Sequence, residues 1–219
     1  MRLATIQASA IKSTFEVLKD ILNDVNIYFK KDGIYIVTLD TARTSLVDIF
    51  LSADNFEEYS CEEDVLAGIN VSNTFKLLKS ISNNDVLVMS INSKEIMNIE
   101  IHNEIKKSCT KFSLKLLDIN ENQIEVPEMN MTTITPMPSV DFQRICRDMH
   151  NIGNDIQITR KNTELYLKCI GDFADQETII QCTEESDEMS GIYSLRYMNI
   201  FTNCLLYTSD AADERNSVD

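Results

Sequence analysis

The sequence has no tryptophan, two histidines, three prolines and five glycines among its 219 residues. With so few prolines and glycines, we do not expect long disordered linkers. No apolar run approaches the roughly 20 residues that a membrane-spanning helix needs. These absences favour a globular protein without a membrane partner, and 219 residues suffice for one large domain or two small ones.

The sequence also lacks a C-x-x-C pair, and we expect no signal peptide, because Met1-Arg2-Leu3 leads directly into an amphipathic segment. Neither His102 nor His150 has ligand spacing to a cysteine pair, so we expect no zinc site, no other metal and no cofactor. The cysteines are expected to be small, reduced, apolar side chains of a cytosolic or nuclear protein. They are Cys61, Cys109, Cys146, Cys169, Cys182 and Cys204.

Sequence signatures of catalysis are missing as well. The chain contains no phosphate-binding loop, dinucleotide-binding glycine motif, nucleophile elbow or H-E-x-x-H zinc motif. The nearest nucleophile and base are Cys146 and His150, one helical turn apart, but no third group orients them. We expect a protein that is not an enzyme, and a small acidic cysteine-dependent enzyme using this pair is the alternative.

Positive charge is scarce overall but is placed on the predicted helices. The net charge of −15 argues against nucleic-acid binding if it is averaged over the surface. Acidic residues, however, concentrate in residues 54–64 and 184–188. Such basic helix faces are usually only solvated surface, but if they line one surface it could follow phosphates without reading bases. The basic residues are Lys12, Lys19, Lys76, Lys79, Arg144, Arg147 and Arg196.

Apolar residues at helical spacing predict four helices. The first runs from Ala8 to Leu22, and the second from Ser72, as N-cap, to Ile81. The third starts at a Ser139 cap and has an apolar stripe that includes Phe142, Ile145, Met149 and Ile152. The fourth covers residues 194–202.

Alternating or β-rich runs predict the strands. A hairpin with an Asp-Gly turn joins 26–29 to 34–37, and a second hairpin joins 156–158 to 165–167 around residues 160–163. The other predicted strands are 45–51, 58–61, 86–91, 96–101 and 110–116. The predicted class is therefore α+β.

The segment 117–138 differs from its flanks because it carries all three prolines and little periodicity. We interpret it as an extended connector between a domain of residues 1–116 and a domain of residues 139–203. The helix-then-hairpin order recurs about 130 residues later, which indicates an internal duplication.

Several segments in this order resemble the proliferating cell nuclear antigen family of DNA sliding clamps. They are D-T-x-x-x-S-L-V at 40–47, C-E-E-D-V-L-A-G-I-N-V at 61–71, K-L-L-K at 76–79, F-Q-R-I-C-R-D-M at 142–149 and L-R-Y-M-N-I-F-T at 195–202. The resemblance covers roughly residues 1 to 203. A subunit of a checkpoint-type heterotrimeric clamp is the nearest alternative within this class.

The resemblance implies a DNA-clamp fold with two similar domains of antiparallel sheets and helices lining a central hole. Three subunits would form a homotrimeric ring around double-stranded DNA, serving as a DNA polymerase processivity factor and as a scaffold for DNA replication and DNA repair proteins. The implied partners are DNA polymerase, a clamp loader and proteins with clamp-interacting peptide motifs. The implied location is the nucleus, or a viral replication site if the source is a virus.

The resemblance also assigns site residues. The seven basic helix residues would contact DNA. A pocket under the connector would bind partner peptides through Leu39, Arg43, Ile124, Val126 and Met131. Strand 109–115 of one subunit, with Phe112, would pair with strand 178–182 of the next, with Ile179.

The sequence departs from the family pattern at several positions. Ser13, Asn151 and Asn203 replace basic residues that often line the hole, and Arg43 replaces a histidine at the pocket edge. Asn162 stands at the position of a modifiable lysine, next to Lys161. The resemblance stops after Asn203, so we expect a C-terminally truncated clamp with a non-native tail at 204–219, poor peptide binding and a tendency to aggregate.

Overall fold

The computed structural model describes residues 1–120, 124–126 and 133–202. The chain divides into two compact units, Met1–Glu128 and Met129–Asp219. Within the described residues, no helix is long and apolar enough to cross a membrane.

The first unit contains two antiparallel sheets and two helices. One sheet has the strand order β5-β1-β7-β8-β9 and the other the order β4-β3-β2-β6. The helices are α1 (Ala8–Leu18) and α2 (Val71–Leu78), with a short 3-10 helix at Ala53–Asn55. The strands are β1 (Arg2–Thr5), β2 (Asp24–Lys30), β3 (Gly33–Leu39), β4 (Leu46–Ser52), β5 (Glu58–Ser60), β6 (Val65–Asn70), β7 (Asp85–Ser93), β8 (Ile96–Asn103) and β9 (Ser108–Lys115).

The predicted hairpin near residue 33 is confirmed as β2 and β3, but its two turn residues are Lys31 and Asp32, and Gly33 already belongs to β3. Lys30 pairs with Gly33 across a two-residue turn, and Tyr28 pairs with Tyr35. Gly33 has a φ of 153°, and a Cβ built there would lie 2.2 Å from the Leu51 carbonyl oxygen. A side chain at this position would therefore displace β4, which pairs with β3.

Helix α1 is shorter than predicted, and α2 begins with a different cap. Residues 8–18 are helical rather than 8–22, but Leu22 is still buried in the core. The N-cap of α2 is Asn70, whose side-chain oxygen accepts a hydrogen bond from the Asn73 N–H at 2.9 Å. The predicted cap, Ser72, already lies inside the helix, because the helix begins directly where β6 ends.

The start of the predicted connector lies against the four-stranded sheet. The Leu117 N–H donates to the Gly68 carbonyl at 2.8 Å, and the Asn26 side-chain amide donates to the Ile119 carbonyl at 3.1 Å. A Cβ at position 68 would approach the Leu117 oxygen to 2.3 Å, so the glycine permits this contact. Apart from this bridge to Leu117, the described residues of 117–138 form no helix or strand.

The second unit contains helix α3 (Ser139–His150), strands β10 (Asp155–Ile170) and β11 (Asp175–Ser194), and a helix α4 at residues 195–202. The two strands form an antiparallel two-stranded sheet. Its core comprises Cys146, Met149, Ile156, Leu165, Leu167, Cys169 and Leu195.

The buried face of α3 is rotated from the predicted stripe. Gln143, Cys146 and Met149 are buried, whereas Phe142 and Ile145 are only partly buried beside the core. Gln143 is polar and lies between Phe142 and the charged Arg144 in sequence, so apolar periodicity could not predict that it is buried. Pro138 is the N-cap rather than Ser139, and no side-chain hydrogen bond caps this end.

The prediction of a second hairpin between residues 156–158 and 165–167 is wrong. Residues 155–170 form one strand that pairs along its length with β11, from Asp155 with Ser194 to Ile170 with Asp175. The predicted turn instead coincides with an irregularity, since the register shifts on both sides of Asn162, whose φ is 51°. The Arg160 guanidinium is buried there and donates to the backbone carbonyls of Asn162, Glu164 and Glu184.

Candidate nucleic-acid interface and protein-binding surfaces

In the first unit, the structure brings the four predicted lysines onto two helices that lie side by side. Lys12 on α1 reaches across to donate to the Ile81 carbonyl, just after α2, at 2.8 Å. The Lys19 ammonium lies 2.9 Å from an Asp20 carboxylate oxygen and 5.4 Å from the Phe75 ring centroid. These two lysines therefore also connect the helices to each other.

Lys76 and Lys79 are the more exposed pair of this set. Both lie in or next to the last turn of α2, where a positive charge is favoured by the helix dipole. Lys76 Nζ donates to Asn73 Oδ1 at 3.1 Å on the helix surface. The expectation that Ser13 stands at a lining position is not supported by its environment, because Ser13 is only 8% exposed.

The second unit repeats this arrangement with arginines. Helix α4 packs on α3, and the Asn199 amide donates to the Cys146 carbonyl at 3.4 Å. Arg144 forms a surface ion pair with Asp141 at 3.2 Å, and Arg147 is exposed one turn later. The Arg196 guanidinium of α4 lies 5.9 Å from the Tyr197 ring centroid. Each unit thus presents basic side chains on a pair of neighbouring helices.

The predicted partner pocket is described only in part. Leu39, at the end of β3, is 38% exposed, and Val126 is 39% exposed. Ile124 is half-buried, and Met131 lies outside the described residues. Large side chains in solvent, such as Leu39 and Val126, are candidates for contact with an apolar ligand.

Arg43 lies on a loop that a single buried carboxylate organises. Asp40 is 2% exposed. It accepts backbone N–H groups from Ala42 at 3.2 Å, Thr44 at 2.6 Å and Ser45 at 2.8 Å. This network holds Arg43 at a φ of 55°, in the left-handed region that most residues avoid. The sequence analysis used Asp40 only as the first residue of the family motif at 40–47 and gave it no role in the loop, although an aspartate followed by Thr and Ser residues is a typical turn signal.

We predict that Asp40→Ala loosens this loop and lowers the free energy of unfolding by about 2 to 3 kcal/mol, because hydrogen bonds to a buried charged acceptor are lost. Asp40→Asn keeps one acceptor oxygen and should cost about half as much. Urea denaturation measures both changes, and limited proteolysis should cut the alanine variant near Arg43 first. Equal stability of the alanine variant and the unmodified chain would contradict this role.

The predicted subunit-interface residues lie on strands with open edges. Strand β9 is the last strand of its sheet, with β8 as its neighbour, and Phe112 on it pairs with Ile99. Ile179 on β11 pairs with Tyr166 and is 49% exposed. In the described part of the chain, β10 and β11 have no third strand beside them. Unpaired edges offer backbone groups to another chain.

The outer face of the β8–β9 hairpin carries a group of three potential metal ligands. Glu100 and His102 lie two residues apart on one face of β8, and Cys109 is the direct cross-strand partner of His102. His102 Nε2 lies 3.1 Å from Glu100 Oε2 and 3.8 Å from Cys109 Sγ. The sequence analysis missed this group because it searched for paired cysteines, and only the strand register brings these residues together.

The Glu100 carboxylate also has a cationic neighbour. Lys111 Nζ lies 2.9 Å from Glu100 Oε1. Hydrogen bonding to Lys111, and secondarily to His102, lowers the pKa of Glu100 from its usual value. The carboxylate is therefore ionised at neutral pH.

The α+β architecture and the basic helix pairs together define the structural class of this protein. The protein has two units, and each unit contains antiparallel strands and two helices that pack together and carry basic side chains. The family model for the N-terminal domain of proliferating cell nuclear antigen matches residues 1–124. The model for the C-terminal domain of the same antigen matches residues 125–205.

The chain belongs to the proliferating cell nuclear antigen family. It is 40% identical over 211 residues to a protein of Paramecium bursaria Chlorella virus 1 described as "Probable DNA polymerase sliding clamp 1". The alignment covers 90% of this chain and 80% of the viral protein. The resemblance drawn from short motifs is thereby confirmed, and so is the α+β clamp fold.

Proposed function

We propose that this chain is a DNA sliding clamp that acts as a polymerase processivity factor. Its partners are double-stranded DNA and a DNA polymerase, and it serves as a scaffold for replication and repair proteins. The observation that carries the proposal is the pair of basic helices in each unit of a chain whose net charge is −15. Membership of the clamp family supports the same conclusion.

The charge distribution suits a protein that must hold DNA without gripping it. Phosphate contacts are independent of base sequence and weaken with salt, so a modest number of them permits movement along the duplex. Acidic surfaces elsewhere repel other DNA segments. In the proposed assembly three copies form a closed homotrimer, and enclosure rather than affinity retains the DNA. A clamp loader must then open the ring.

We propose that the site residues act as the family resemblance implies. The DNA-facing residues are Lys12, Lys19, Lys76, Lys79, Arg144, Arg147 and Arg196. Leu39, Arg43, Ile124, Val126 and Met131 form the pocket for partner peptides that carry a glutamine, an aliphatic residue and two aromatic residues. An apolar pocket that receives aromatic anchors is the usual source of most binding energy in such a contact.

The proposed location is the site where DNA is replicated. For a cellular source this is the nucleus, and for a viral source it is the viral replication site. The viral relative is compatible with the second setting.

The protein is proposed to have no catalytic activity, and the environment of Cys146 argues against the cysteine-enzyme alternative. Cys146 is 0% exposed in the core of the second unit, whereas His150 is exposed. Burial raises the pKa of the Cys146 thiol to about 11. Since the thiolate is the nucleophilic form, this cysteine is unreactive at neutral pH.

We predict that iodoacetamide at pH 7.5 alkylates Cys109, which is exposed, long before Cys146. Cys146 should react only when the second unit unfolds, because the thiol is both buried and protonated. Peptide mass spectrometry of a labelling time course measures both rates. Rapid alkylation of Cys146 in the folded chain would revive the enzyme alternative.

The direct test of the proposed function is a primer-extension assay with DNA polymerase, clamp loader and this chain. Product length should increase when the chain is added and should depend on the loader. Product lengths that stay the same with and without the chain, under conditions where a known clamp works, would refute the proposal.

A further inference from the structure

We propose that Glu100, His102 and Cys109 form a binding site for a zinc-type divalent transition metal ion on the outer face of the β8–β9 hairpin. Nothing in the family assignment requires such a site. The three side chains supply an oxygen, a nitrogen and a sulfur donor, which is a set that Zn²⁺ accepts. Their ligand atoms all lie within 4.8 Å of one another.

The strand register places these side chains together without any loop rearrangement. Residues two apart on a strand share a face, so Glu100 and His102 project from the same side of β8. Met97, Ile99 and Ile101 alternate with them and are buried on the opposite side. Cys109 is the cross-strand partner of His102, and directly opposed side chains on a sheet face are close neighbours.

Two of the three ligand separations match a tetrahedral ion closely. Metal–ligand bonds of zinc separate a nitrogen and an oxygen ligand by about 3.3 Å, and a nitrogen and a sulfur ligand by about 3.6 Å. The corresponding separations here are 3.1 Å for His102 Nε2 to Glu100 Oε2 and 3.8 Å for His102 Nε2 to Cys109 Sγ. The third separation, from a Glu100 carboxylate oxygen to Cys109 Sγ, is within 4.8 Å, against about 3.6 Å around a tetrahedral zinc ion. Side-chain adjustments of up to about 1 Å would therefore bring all three ligands into place.

The site is open to solvent and holds one carboxylate oxygen in place. His102 and Cys109 both line an open groove, shared with Arg2, Val86 and Lys107. Lys111 binds Glu100 Oε1 at 2.9 Å and leaves Oε2 beside the histidine. Three protein ligands leave the fourth position of a tetrahedral ion for water or another donor.

The site also lies at the start of the strand proposed to pair with the next subunit. Strand pairing uses backbone groups at the edge of β9, whereas these three side chains point away from the sheet plane. Metal binding and ring closure are therefore compatible. This point rests on the proposed function, but the metal site itself does not.

The experiment is a titration of the reduced 219-residue chain with Zn²⁺ by calorimetry and with Co²⁺ by absorption spectroscopy. We expect one ion per chain and, for Co²⁺, the thiolate-to-metal charge-transfer and ligand-field bands of a tetrahedral sulfur-containing site. Ca²⁺ and Mg²⁺ should not compete, because they prefer oxygen ligands. Binding of all four ions with equal strength would indicate only general attraction to an acidic surface and would overturn the proposal.

Variants assign the ion to these residues. Cys109→Ser and His102→Ala should each weaken Zn²⁺ binding at least about tenfold, since loss of even an outer-sphere partner costs that much. Lys111→Met should tighten binding, because it removes a positive charge that repels the bound cation. The matched controls, Cys182→Ser and His150→Ala in the second unit, should bind like the unmodified chain.

Two results would overturn the assignment. One is the absence of Zn²⁺ or Co²⁺ binding by the folded, reduced chain. The other is unchanged binding by both Cys109→Ser and His102→Ala, which would place the ion elsewhere. Thermal melting without metal verifies that each variant is folded, and a variant that is not folded is replaced by Glu100→Gln, which is subject to the same criterion.

Discussion

Phe112→Ala is expected to convert the proposed trimer, about three times the chain's 25.0 kDa, into the single chain. Phe112 lies on β9, the strand at the open edge of the five-stranded sheet. Removing a phenylalanine from a packed contact typically costs about 3 to 5 kcal/mol. Even a loss of about 2 kcal/mol at an interface raises its dissociation constant roughly 30-fold. The change recurs at each of the three interfaces of the ring. Sedimentation equilibrium over a range of chain concentrations measures it.

The control and the partner strand make this test specific. Ile105→Ala removes a side chain that is 76% exposed in the turn of the same hairpin, and it should leave the mass unchanged. Ile179→Ala should weaken assembly as Phe112→Ala does. If the two residues meet across the interface, the double variant will cost less than the sum of the two single changes. Full trimerisation of Phe112→Ala would show that β9 is not an interface strand.

The second large effect is expected from the helix surfaces. The triple variant Lys76→Ala, Lys79→Ala, Arg147→Ala should shorten primer-extension products and make loaded clamps easier to dissociate with salt. In a plot of the logarithm of the DNA-binding constant against the logarithm of the salt concentration, each phosphate contact removed makes the slope less steep by roughly 0.9. These three residues are preferable to Lys12 and Lys19, whose ammonium groups also hold α1 against α2.

A charge-matched control separates local contact from net charge. Lys31→Ala, Lys94→Ala and Lys106→Ala also take the net charge from −15 to −18, since each change removes one positive charge. All three are exposed on turns between strands rather than on helices. We expect near-normal extension products from this control. Equal loss in both triple variants would mean that overall charge, not the helix surface, determines DNA association.

Sequence reasoning succeeded where one face of an element is buried over several residues. Strand β8 alternates strictly between buried Met97, Ile99 and Ile101 and outward polar residues, so its period was clear. In the second predicted helix, which the structure shows as α2, the apolar residues Phe75 and Leu78 recur at helical spacing and are both buried. Periodicity is a reliable signal when burial is one-sided and the element is long enough to repeat.

Sequence reasoning failed where the structure depends on contacts between residues that are distant in sequence. Strand β1 has only four residues, and it exists because it pairs with both β5 and β7. Strand β6 was likewise not predicted as a strand, although its segment carried the family resemblance. The Glu100–His102–Cys109 group was invisible because it depends on the register between β8 and β9. The predicted buried face of α3 differs from the observed one because Gln143, a polar residue, is buried in the structure.

The proposed site was predictable only as a set of residues. Helical spacing in the sequence placed the basic residues on predicted helices, and the family resemblance assigned them to DNA contact. The packing of α1 on α2, and of α3 on α4, came from the structure. The Asp40 network around Arg43 also required the fold, because three backbone groups converge on one carboxylate.

The central claim is that this chain encircles DNA, and one measurement tests it most directly. The labelled chain is loaded by a clamp loader onto nicked circular DNA, and retention is followed in high salt before and after the circle is cut by a restriction enzyme. We expect the chain to remain on the intact circle, where enclosure survives the screening of charges, and to slide off the cut DNA. Loss from the intact circle in high salt, or equal retention on circular and linear DNA, would contradict the account.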